Sequence, residues 1–208
     1  MTTGMRTIDE LDLLDWRRRV FELYRGIRAA DEPRAAWRGW RAERDRLFAT
    51  HPQSPLEPQL RAGFAGLRYH DYDPAMRAVA ELAPLEPVSL ELATSTGEPC
   101  RFRRFAEARF RLAGSACTLP LYWLDGYGGG IFMPFADRSS GATAYACRYL
   151  LDTVKGADLG GGPDGLVLDF NFAYNPSCAY NPAWACPLAP PDSRLDVAVE
   201  AGELVPAW

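Results

Sequence analysis

From Val88 onward the chain is written in short runs of β-branched and aromatic residues, interrupted by turn signals about every eight to twelve positions, the spacing of antiparallel strands. Strands are expected near 88–93, 100–105, 107–113, 116–124, 130–135, 145–154 and 166–173. Between them stand Ser95-Thr96-Gly97-Glu98, Ala113-Gly114-Ser115, Asp125-Gly126 and Ser139-Ser140-Gly141, each offering the positive-φ or side-chain-bonded positions that hairpins need. Short connections imply a meander. The expected class is therefore mainly β (α+β): an antiparallel meander sheet, sandwich or barrel-like, with two N-terminal helices packed on it.

The helices announce themselves by period. Leu13, Trp16, Val20, Tyr24 and Ile27 recur at three- and four-residue steps across about 9–29, the pattern of an amphipathic helix. A second helix is expected from Pro33, a good first-turn residue, to Thr50, with Trp37, Trp40, Leu47 and Phe48 on its buried stripe and His51-Pro52 ending it. Residues 51–87 are proline-rich without a sustained period, which reads as a connecting arm. The organisation expected is a helical arm at 1–50, this connecting arm, and a β domain at 88–208 with a proline-rich tail, all one structural domain. In the tail Ala173-Tyr174-Asn175-Pro176 recurs as Ala179-Tyr180-Asn181-Pro182, two successive Asn-Pro turns.

Composition excludes more than it selects. With 208 residues, 48% hydrophobic and 24% charged, the chain has the balance of an ordinary globular domain. A formal charge of −4 supplies no field for a phosphate backbone, so nucleic acid is not expected as a partner. The arginines of the first fifty residues are nearly balanced by acidic ones, the habit of solvated helix faces. No window has the apolar length of a membrane span, and Met1 to Glu10 has no secretory signal, so the expected location is the cytoplasm and no membrane partner is expected. There the five cysteines, an odd number, are expected as reduced thiols, with Cys178 and Cys186 unjoined.

Several motifs promise less than they suggest. Gly126-Tyr127-Gly128-Gly129-Gly130 and Gly160-Gly161-Gly162 precede no helix and lack the Gly-Lys-Ser/Thr ending of a phosphate loop, so they read as hairpin connections or bulges. Cys178 and Cys186 are eight apart, which matches no common zinc spacing, and no metal ligands are assigned. As a nucleophile Cys178 needs a base or positive field to lower its pKa, and the spacing identifies none. The absence of a Gly-x-Ser-x-Gly elbow disfavours a serine triad.

The most charge-decorated apolar run is 148–159, followed by Leu166-Val167-Leu168-Asp169-Phe170-Asn171-Phe172. Asp152 and Asp169 are the candidates for general acid or base, Arg148 and Lys155 for holding an anionic group, and Asn171 and Asn175 for orientation. Tyr127 and Cys178 complete the candidate ligand-binding set. The structural alternative is a sheet face wetted by solvent. If 147–154 and 166–173 pair as a hairpin, placing Asp152 opposite Asp169 and Leu150 opposite Asn171 separates polar from apolar faces, whereas a one-residue slip buries charge among phenylalanines.

Longer phrases carry a resemblance. The stretches 121–130 and 149–159, Leu168-Asp169-Phe170-Asn171-Phe172-Ala173-Tyr174-Asn175-Pro176, Cys178-Ala179-Tyr180, Cys186-Pro187-Leu188 and Ala201-Gly202-Glu203 resemble a bacterial domain-of-unknown-function family, number 1684. The likeness runs from about Trp40 to Glu203, with Tyr145-Ala146-Cys147 departing from the glycine-rich phrase expected before Arg148. It implies no activity and no cofactor. Two readings follow from the residues: a domain that binds or transforms a small molecule at a polar site in the C-terminal half, and a non-catalytic interaction module whose Trp16, Trp37 and Trp40 dock on a partner or a second copy of the chain.

Overall fold

The computed structural model describes residues 7–163 and 165–207; the first six residues of the expected arm, Asp164 in the glycine-rich loop, and Trp208 lie outside it. Helix α1 covers Thr7–Arg28 and α2 covers Pro33–Thr50, the bounds that Pro33 and His51-Pro52 predict, and a single turn, α3, follows at Pro58–Arg61. Strands β1 (Arg77–Leu92), β2 (Cys100–Leu112), β3 (Ser115–Leu124), β4 (Ile131–Phe135), β5 (Arg148–Asp152), β6 (Gly161–Gly162) and β7 (Gly165–Asp169) complete the chain. They form one antiparallel sheet in the order β5-β4-β3-β2-β1-β7-β6. The first five strands are the expected meander, and β7 returns to the far edge of β1.

Each of the four expected turns joins consecutive strands. The tightest is Ala113-Gly114, whose φ values of 45° and 85° supply the two left-handed positions of a two-residue hairpin loop. The sheet begins earlier than the texture suggests, at Arg77, because Pro84 and Pro87 disguise a strand. Neither proline donates to a ladder, and the register with β2 shifts between Pro84 and Val88, so the irregularity falls where donors are missing. The runs 100–105 and 107–113 are likewise one strand, continuous through a bulge at Phe105.

The expected hairpin between 147–154 and 166–173 does not form. Strand β5 pairs β4, with Phe132 opposite Asp152, and β7 pairs β1, with Arg77 opposite Asp169. After β7 the chain tightens into a 3-10 turn at Phe170–Phe172 and reaches the free edge of β5 at one bridge, where Tyr149 and Tyr174 exchange backbone hydrogen bonds of 2.8 and 3.0 Å. That contact curls the sheet into a half-barrel. Glycine is required where β7 meets β1: Gly165 has φ +130°, and a Cβ there would lie 2.1 Å from Ala80 O.

The concave face is filled from the helices. Trp37, Trp40, Leu47 and Phe48 are all buried, as the stripe of α2 requires, with Trp40 edge-on to Tyr69 and Phe172. From α1, Tyr24 is buried and Val20, Leu23 and Ile27 pack on the same core, while Leu13 at the start of the stripe stays exposed. A second cluster, Leu92, Phe102, Tyr122, Phe132, Cys147 and Tyr149, is capped by the proline-rich tail. Among the described residues, no helix is long and apolar enough to cross a membrane.

Candidate functional site

The polar residues of the last strands are internal, so they do not form a wetted sheet face: Arg148 is 1%, Asp152 6%, Asp169 2% and Asn171 0% exposed. Asp169 ends β7 and caps the turn that follows. Its Oδ1 accepts from the Asn171 backbone N–H at 3.1 Å and from Asn171 Nδ2 at 2.8 Å. Asn171 is locked in turn by Asp73, donating to Asp73 O at 2.8 Å and accepting from Asp73 N at 2.9 Å. The second oxygen is held loosely: Tyr72 Oη lies 3.5 Å and Arg77 Nε 3.8 Å from Asp169 Oδ2.

Asp169 lines a cleft of about 260 Å³ between the end of α1, β7 and the loop after β5, with Arg28, Arg77, Gly160, Gly161 and Val167 among its walls. Arg28 reaches over the cleft to Asp158 O at 2.6 Å. Two guanidinium groups and one buried carboxylate thus converge on a space bounded elsewhere by Ile27, Leu159 and Phe172.

Burial pushes the Asp169 carboxyl above its ordinary 3.8, against the pull of Asn171 and Arg77. Folding therefore takes up a proton between the two values, and this contribution to stability is present below about pH 4 and lost as pH rises through the folded value. Asp169→Asn removes the loss. Its unfolding free energy relative to the wild type, from urea titrations, should move in the variant's favour as pH rises from about 4 through the raised folded-state value. A constant difference would mean that the carboxyl is solvated.

The other expected site residues are dispersed. Asp152 pairs with Lys155 at 3.4 Å where β5 ends and does not face Asp169 across a strand pair. Arg148 is committed internally: Nη2 meets Asp137 Oδ2 at 2.8 Å and the Val199 carbonyl at 3.0 Å, and Nη1 donates to the Ala201 carbonyl. Asn175 ties down the C-terminal segment, donating its backbone N–H to Glu203 Oε2 at 2.9 Å and Nδ2 to Leu204 O at 2.8 Å. Glu203 also accepts from Arg44 Nη2 at 2.9 Å and from the Tyr180 hydroxyl. Tyr127 is fully exposed on its glycine loop. Cys178 is half-buried beside Cys186, and all five cysteines are free thiols.

Of the sequence candidates, Asp152 thus meets Lys155 and Asp169 meets Asn171, and Arg28, Tyr72 and Arg77 join the second pair from the first 77 residues. Nothing in the local texture marks those three. Arg77 stood in the stretch read as a connecting arm, and Arg28 on a balanced helix face. Among the described residues, no group of three or more His, Cys, Asp or Glu side chains is arranged to hold a metal ion.

Comparison with known proteins locates the chain but not its chemistry. The model of the family described as a protein of unknown function, DUF1684, matches residues 62–204. A solution NMR structure of an uncharacterized protein from Haloarcula marismortui is 36% identical, with a TM-score of 0.59, over 80% of this chain and 91% of that one. None of the curated proteins matches.

Proposed function

Because the chain belongs to DUF1684, a family of unknown function, we propose from geometry alone that it binds a small polar molecule in the cleft above Asp169. The observation that carries this reading is the divided state of the carboxylate: one oxygen fully bonded, the other buried with only distant partners at the cleft. A buried acceptor without good hydrogen bonds is costly, and a ligand hydroxyl or ammonium supplies the missing donor. Arg77 beside Asp169 and Arg28, which also pairs with Asp158 at 3.5 Å, bring positive charge to the cleft that suits an anionic group on the ligand, and guanidinium forks grip carboxylates bidentately. The matching class is a small hydroxy acid or amino acid, since a cleft of about 260 Å³ is at the small end of ligand sites. Asp169 Oδ2 is also the atom placed to take a proton from such a ligand.

The interaction reading draws on Trp16, Trp37 and Trp40. Trp37 and Trp40 are buried, and Trp37 Nε1 donates inward to Asn171 O at 3.1 Å, so these indoles offer no docking face.

Thermal unfolding against a panel of small hydroxy acids, amino acids and polyols tests the proposal. A binder at about one hundred times its Kd should raise Tm by roughly 5–10 °C. Arg77→Gln, at a half-exposed position, should keep the unliganded Tm within a few degrees and lose most of that shift. A panel without binders, or a shift that survives both Arg77→Gln and Asp169→Asn, overturns the reading.

A further inference from the structure

We propose that Cys178 and Cys186 are a redox-active thiol pair, with Cys178 attacking a small hydroperoxide and Cys186 closing a disulfide onto it. This site is separate from the Asp169 cleft. It is built by the double Asn-Pro turn: Cys178 sits in the 3-10 turn Ser177–Ala179, and Cys186 lies on the following extended stretch, pinned by Ser95 N to Cys186 O at 2.9 Å and by Cys186 N to Ser95 Oγ at 3.0 Å. The Cys178 backbone N–H donates to Cys186 Sγ at 3.3 Å, which brings that sulfur against Cys178's own side chain. Tyr145 Oη stands 4.0 Å from Cys178 Sγ. Cys178 is partly exposed and Cys186 is buried, the accessibility that an attacking and a resolving thiol require.

The electrostatics agree with this division. Hydrogen bonding from Cys186, with help from Ser95 and Tyr145, holds the Cys178 thiol down to about 6. Ser95 already donates its hydroxyl to Trp184 O at 2.7 Å, so Cys186 is the main donor. The same bond, then burial, pushes Cys186 up, which keeps its proton on. Oxidation of Cys178 consumes the thiolate that raises Cys186, which frees the Cys186 thiol to ionise as it attacks. The Cys178 thiolate attacks one peroxide oxygen, the O–O bond breaks, and hydroxide leaves to be protonated by solvent, giving a sulfenic acid. Cys186 sulfur then attacks Cys178 sulfur, the S–O bond breaks, and the Cys186 proton departs with the leaving hydroxide as water. Two thiols lose two electrons in all, and one hydroperoxide gains them.

A low pKa alone does not make a thiol fast, since intrinsic nucleophilicity falls with it, and near pH 7 the two effects nearly cancel, leaving an advantage of about 2–3-fold. At about pH 5 an ordinary thiol is almost wholly protonated, and Cys178 should be alkylated by iodoacetamide about 20-fold faster than a free thiol such as N-acetylcysteine added to the same solution. Mass mapping of the reduced full chain reads this directly. One equivalent of hydrogen peroxide should then remove two titratable thiols and link 178 to 186. Cys186→Ala should stop at a sulfenic acid on Cys178 that a cyclic dione traps, and with the donor gone its alkylation profile should shift to higher pH. Cys117→Ser should behave as the wild type. Ordinary pH dependence at Cys178 in the wild-type chain, or a peroxide-induced link that omits either cysteine, overturns the proposal without bearing on the Asp169 cleft.

Discussion

Replacing Arg148 by methionine should cost about 3–5 kcal/mol of folding stability, the usual penalty for breaking a buried ion pair from one side. Arg148 and Asp137 are 1% and 0% exposed and meet at 2.8 Å, so removing the cation leaves a carboxylate with no access to solvent. The guanidinium also gathers the Val199 and Ala201 carbonyls, so the segment leading to Glu203 loses its anchor. Methionine keeps an apolar stem but loses the guanidinium that lies over the Phe135 ring at 5.2 Å. Adding Asp137→Asn should recover part of the loss, because the stranded charge is removed while Ser139 keeps its acceptor at 2.6 Å. Urea titrations of the four proteins of this cycle measure the coupling. A single-variant loss below about 1 kcal/mol would show that the pair is solvated.

Trp40→Ala should be comparably severe, about 3–5 kcal/mol, by the measure of large-to-small changes in cores. Trp40 is 0% exposed, packs edge-on to Tyr69 at 5.4 Å and Phe172 at 5.3 Å, and carries the Arg44 guanidinium over its ring at 5.0 Å. Its loss therefore loosens α2 from the turn that follows Asp169. Trp40→Phe should be much milder, because the Nε1 that it deletes makes no well-formed hydrogen bond. Chemical denaturation separates the two variants, and equal losses would mean that the indole nitrogen has a partner worth as much as the ring. A Trp40→Ala chain that melts like the wild type would mean that the helices contribute little to the core.

The candidate site was half legible. Asp169 and Asn171 stood out because an acid and an amide inside an apolar strand are hard to place without a reason, and the structure gives both to one network. Cys178 was nameable as a thiol in need of a base. Another thiol eight residues away, Cys186, lies beside it across the turn, with its sulfur 3.3 Å from the Cys178 backbone nitrogen. Arg28, Tyr72 and Arg77 were hidden among residues with an ordinary solvated pattern, and Pro84 and Pro87 concealed the strand that carries Arg77 to Asp169. The expected pairing of Asp152 with Asp169 failed for a related reason. Sorting polar from apolar faces ranks the registers of two strands only after they are known to be neighbours. Here β5 and β7 lie toward opposite ends of the sheet order.

What the amino-acid sequence determined by itself was whatever short-range physics enforces. The period of Trp37, Trp40, Leu47 and Phe48 together with Pro33 and His51-Pro52 defines α2, and four turn signals define the meander, because backbone dihedrals and side-chain spacing act within a few residues. Which edge β7 joins, which acid Arg148 neutralises and which arginines overlook Asp169 were decided only by the tertiary structure. Each of those choices is a competition among burials and pairings of groups many residues apart, such as Arg77 with Asp169 and Arg44 with Glu203. Their free energies depend on the solvent that the whole fold excludes, so no window of sequence contains them.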